Sequence, residues 1–172
     1  MRVSRDGFTL VELLIVVALI GIIAAIAVPR LLGARLSSQE TAAIGTLRAV
    51  DSGQYAFAAG CGGGFYAPSL ARLATPPVAG GGAFIGPDLA TDPASKSGFI
   101  VTLTPGPQSP TSPAPCNGGA AGSSVVSYFV GADPIQPGQR YFGTNSGQTI
   151  YQSTAQVVVT QTGAPAGATA VQ

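Results

Sequence analysis

GFTLVELLIVVALIGIIAAIAVP, Gly7 to Pro29, is the stretch on which the reading of the chain turns. Phe8 to Val28 make 21 residues, apolar or small except for Thr9 and one acid, Glu12. At about 1.5 Å of rise per residue they would form a helix of roughly 31 Å, close to the hydrocarbon thickness of a bilayer. An ionised carboxylate at depth in such a helix costs on the order of 2.5 kcal/mol or more, so Glu12 requires a reason. Arg2 and Arg5 precede the run, which places this end on the cytoplasmic side and sends the chain after Pro29 outward. An ordinary signal peptide would instead be cut behind the run, where Ala24-Ala25-Ile26-Ala27 is loosely A-x-A-like. The run is longer than a usual signal core, and its helical pattern continues past it.

The continuation is visible in Leu31, Leu32, Leu36, Ala43, Leu47, Val50 and Phe57, spaced by three, four and seven, with Arg30, Arg35, Gln39, Glu40 and Arg48 mainly on other faces. The pattern predicts one helix from Phe8 to about Ala59, bent near Pro29 and capped by Gly60, apolar all round in its first half and amphipathic in its second. The second half therefore needs a domain to pack on. Cys61 to Gln172 supplies one: 24 glycines and 14 prolines in the chain point to a loop-rich unit of short strands. A helical turn is predicted at Ser69–Leu73, with Ser69 as N-cap. Strands are predicted at 98–104 and 124–130, the latter ending in a turn at Gly131–Pro134. A hairpin follows about Thr144–Gly147, then a last β-rich run at 155–162 and a fraying tail. The fold class is α+β, a long N-terminal helix on an antiparallel sheet of four or five strands.

The basic leader ending in Gly7, followed by Phe8-Thr9-Leu10-Val11-Glu12 and the apolar helix, resembles the type IV pilin superfamily and its class III signal peptide. The resemblance implies the pilin fold, with a leader at 1–7, a membrane and assembly helix at 8–29, the amphipathic half at 30–60 and a β ectodomain at 61–172. It implies that a prepilin peptidase and methyltransferase cuts after Gly7 and N-methylates Phe8, and that Glu12 docks subunits by pairing with the new ammonium of Phe8 on a neighbouring copy. The competing reading leaves Glu12 near the headgroups with no specific task. Gly21 and Pro29 match breakers between which pilin helices lose structure on assembly. A weaker likeness, Gly138-Gln139-Arg140-Tyr141-Phe142, matches a turn that small pilins place before their last strands.

The implied partners are further copies in a helical filament, the inner membrane, and an assembly platform driven by cytoplasmic ATPases; the implied roles are adhesion and twitching motility. Two alternatives stay open: a pseudopilin of a type II secretion system, and a minor pilin that adheres or takes up DNA. Against the last, residues 61–172 carry Arg72, Lys96 and Arg140 against Asp88, Asp92 and Asp133, a net charge of zero, so no nucleic acid is expected. The absence of histidine, paired carboxylates and nucleophile motifs argues against an enzyme, and no cofactor or metal is expected. Asp88, Asp92 and Asp133 stand singly beside Pro or Gly, as turn formers, without the converging oxygens of a calcium site. Arg30 and Arg35 read as interfacial anchors. Too few aromatics lie on the helix to form a conducting stack. Cys61 and Cys116, 55 apart, are either two buried thiols or one disulfide; export to an oxidising compartment favours the disulfide.

Overall fold

The computed structural model describes residues 7–171; the leader residues up to Asp6, including Arg2 and Arg5, lie outside the described residues. The chain divides into two compact units, Met1–Ser38 and Gln39–Gln172. Helix α1 is Leu10–Gly60, 51 residues, and runs through both Gly21 and Pro29. It starts two residues later than predicted because Thr9 serves as its cap: the Glu12 amide donates to Thr9 Oγ1 (3.2 Å). Its end also differs from the prediction. Gly60 is still helical, and the positive φ angles that turn the chain fall at Gly63 (60°) and Gly64 (92°). There the amides of Gly62 and Gly64 close on the carbonyls of Phe57 and Ala58.

Within the second unit, α2 (Leu70–Ala74) begins at Ser69 as expected, the Ser69 hydroxyl accepting from the Arg72 amide. The sheet is an antiparallel meander in simple order: β1 (Ala94–Lys96), β2 (Phe99–Pro105), β3 (Tyr128–Pro134), β4 (Tyr141–Asn145), β5 (Tyr151–Ser153) and β6 (Thr169–Ala170). The alternation Phe99, Val101, Leu103 inward and Ile100, Thr102, Thr104 outward gives β2 its period of two. The inward set joins Ala43, Leu47, Val50 and Phe57 of α1, Leu70 and Leu73 of α2, and Val130 and Phe142 in one core. Phe57 is fully buried and meets Phe84 edge to face at 5.4 Å.

Four expectations are corrected. Gly131–Pro134 is not a turn but the second half of β3, with Gly131 opposite both Thr102 and Gly143. The glycines there make room rather than a bend: a Cβ on Gly143 would lie 2.8 Å from Cζ of Phe129, whose ring covers the outer face. Residues 124–127 lie outside the strand, and Val125 only bridges Tyr66 and Gln108. The valine-rich run at 155–162 forms no strand. It is a strap over Phe129, with Val157 buried, held by Asn145 Nδ2 donating to the carbonyls of Thr160 (3.0 Å) and Gly163 (2.7 Å). The tail does not simply fray, because β5 would otherwise be an open edge, and Thr169–Ala170 pairs with it. The sheet thus has six strands. The strand unforeseen at the other edge, β1, joins β2 through Ser97 (φ 52°) and Gly98 (φ 83°), a two-residue hairpin turn.

Candidate functional site

The first unit presents an exposed apolar surface. Phe8 is 74% exposed and Ile20 60%, and none of the most apolar 18-residue window of α1, mean hydropathy 3.0, is buried. That window has the length and composition to cross a membrane. Gly7 and Phe8 lie just ahead of the helix, both exposed, and among the described residues a Cβ on Gly7 would meet nothing within 4 Å. In the uncut chain the Phe8 nitrogen is an amide and carries no charge.

Glu12 sits at the third helical position after the Thr9 cap, where the helix dipole favours an acid. The Thr9 hydroxyl lies 3.5 Å from Glu12 Oε2. Thr9-x-x-Glu12 is thus the frame of a capping box, a signal in the sequence that the reading above passed over. It gives Glu12 a task inside its own chain besides any between chains. Gly21 has open space around it and Pro29 lies within continuous helix. Arg30 and Arg35 are exposed.

Several buried polar groups of the second unit are paired within it. Cys61 and Cys116 are bonded (S–S 2.07 Å), fixing the excursion after β2 to the end of α1. Gln54, fully buried, exchanges two hydrogen bonds with the backbone of Ala67 (2.9 and 2.8 Å), as a neighbouring strand would. Asp92 accepts from the amides of Leu70 and Leu103, and Asp88 pairs with Lys96 at 2.6 Å. The hydrogen bond and charge of Lys96 lower the Asp88 pKa. Asp133 accepts from Gln156 on the strap. The three acids therefore serve separate contacts within this unit, and no group of three or more metal-binding side chains occurs among the described residues.

In the Gly138–Phe142 stretch, Arg140 is the working residue. Its guanidinium donates to Glu40 Oε2 (3.0 and 2.6 Å) and to Gln152, and its amide donates to Glu40 Oε1. Burial raises the Glu40 pKa, but the hydrogen bonds and charge of Arg140 outweigh it, and the net shift is downward. Asp51 is the acid the sequence reading missed. It is 6% exposed, and burial lifts its pKa to about 6 against the hydroxyls of Thr144 and Tyr128. Its position at an inward-facing step of α1, beside Val50 and Gln54, was the available signal.

Residues 2–28 match the model of the prokaryotic N-terminal methylation motif. The chain is also 47% identical over 62 residues to the type IV major pilin protein PilA of Myxococcus xanthus (strain DK1622), covering 33% of this chain and 28% of that protein. The N-terminal segment is similar to that of a type IV major pilin. The chain spans little more than a quarter of the pilin it matches. No solved structure matches it. A long helix bearing an exposed apolar stretch and, behind it, a unit of antiparallel sheet is pilin-like architecture.

Proposed function

We propose that this chain is a structural subunit of a type IV pilus-like filament, assembled through its N-terminal helix after a prepilin peptidase cuts behind Gly7 and methylates Phe8. The observation that carries the reading is the contrast in burial behind the methylation motif: the apolar residues of the first unit are uncovered, while the second unit has closed its own core. A surface of that size in water is covered by lipid or protein. On this reading it lies first in the inner membrane, with residues 8–29 spanning and the N-terminus cytoplasmic, and then against other copies in the filament core. The cut creates the ammonium on Phe8 that Glu12 of a neighbour pairs with, and Gly21 and Pro29 let the helix between them loosen during assembly. The ATPases that extend and retract the fibre, and the platform that holds them, are separate proteins. Adhesion and surface motility are the roles such a filament serves.

Shearing cells and probing the released fibres for this chain tests the proposal. Recovery in long fibres, with Phe8 N-methylated at their N-termini by mass spectrometry, is the expected result. Recovery only in the cell envelope would replace it with the pseudopilin reading. Filament density with unbroken helix from Gly21 to Pro29 would remove the loosening step alone.

A further inference from the structure

Asp51 is buried where the second half of α1 meets the sheet, and among the described residues it forms no ion pair. The ion pairs among the described residues are Lys96 with Asp88 and Arg140 with Glu40. The Asp51 carboxylate instead accepts from the Tyr128 hydroxyl of β3 (2.9 Å) and the Thr144 hydroxyl of β4 (2.7 Å). From its own helix Arg48 and Tyr55 stand nearby, both exposed, and the Tyr66 ring packs edge-on against Tyr128 at 4.9 Å. A surface depression lined by Arg48, Asp51, Ser52, Tyr55 and Gln148 gives the carboxyl a way to solvent. An acid so placed holds three elements together in either protonation state, but ionised it carries a desolvation cost that two neutral hydroxyls only partly offset.

We propose that Asp51 is an acid-operated lock between α1 and the sheet, which takes up a proton through the depression as the surroundings acidify and then grips β3 and β4 more firmly. Protonation keeps the contacts, since the carboxyl O–H can donate to the Thr144 or Tyr128 oxygen where it previously accepted. The direction of the effect follows from burial, which raises the folded pKa from 3.8 to about 6. A carboxyl raised on folding adds stability as pH falls through the folded value, and the gain is complete below the unfolded one. Glu40 and Asp88 are shifted the other way and act only in the ordinary carboxylate range. The chain has no histidine to titrate between them and neutrality. Asp51 is the carboxyl that burial raises into the interval between neutral pH and about 5.

The test is equilibrium unfolding of the full chain in detergent micelles at pH 7.5 and 5.0, for wild type and Asp51→Asn. The wild-type unfolding constant should fall about 10-fold on going to pH 5.0. Asp51→Asn, which keeps the shape and loses the charge, should show no such change. An unchanged or rising wild-type constant, or the same fall in Asp51→Asn, would overturn the lock. Should that variant fail to fold, a carbon-13 titration of the wild-type carboxyls decides. An aspartate with a midpoint clearly above 5, raised further by Thr144→Val, upholds the proposal; every aspartate titrating in the ordinary range refutes it.

Discussion

Two stretches of the same helix, before and after Ser38, are built from similar apolar residues and have opposite fates. Leu13, Ile20 and Ile26 each keep more than half of their surface exposed (59%, 60% and 58%), whereas Leu47, Val50 and Phe57 keep none. The difference lies in what the intervening residues offer. Between Leu47 and Phe57 stand Asp51, Gly53 and Gln54, each matched to a particular group on the other side of the core. Between Leu13 and Ile26 there is only more aliphatic surface, which fits lipid, or another copy of itself, equally well. On the filament reading, a helix that finds its partner later is uniform, and one that already has its partner is punctuated.

That contrast can be broken from either side. Glu12→Gln should have the largest effect, because glutamine keeps the capping frame but removes the charge. Removing one member of a desolvated ion pair costs about 3–5 kcal/mol, enough to abolish fibres in a shear assay while thermal unfolding stays as in wild type. Wild-type fibre yield would leave Glu12 with its capping task alone. Phe57→Ala should lower folding stability by about 3–5 kcal/mol in denaturant titrations, with Ile20→Ala in the same assay giving no measurable change. Cys61→Ser opens a loop of 55 residues and should cost up to about 4 kcal/mol in the chain-entropy account, read as a lower unfolding midpoint that reductant no longer shifts.

Gly53→Ala should destabilise by about 1–3 kcal/mol, because its methyl would meet Ile85 Cγ2 at 2.6 Å and the Phe84 carbonyl oxygen at 2.8 Å. Arg140→Ala should be mildest, about 1 kcal/mol or less, since its side chain is 48% exposed. Glu40 is held low on folding, so this loss should be seen in full above the ordinary glutamate pKa and disappear as pH falls on through the lowered folded value.

The sequence made the helix, its division in two and the N-terminal motif legible, because each is written in local spacing. The cap of α2 and the hairpin after β4 were legible for the same reason. What it hid depended on pairing across the sheet. Gly131 and Gly143 look like turn residues until Phe129 is seen lying over them, and Val157–Val159 look like a strand until Asn145 is seen strapping their segment down. The missed acid, Asp51, looked like one more polar position on an amphipathic helix. Only its two hydroxyl partners, 77 and 93 residues away, distinguish it.

The bond between Cys61 and Cys116 bears on how the molecule would carry load. It joins the residue directly after α1 to one 55 positions further on. If tension entering along the helix peeled the second unit open, the chain between the two sulfurs would stay closed as a loop and pay out no length. At about 3.3–3.6 Å per extended residue, that withholds roughly 190 Å of slack. Oxidised, the chain acts as a short tether; reduced, it could stretch several times further before the pull reached β3.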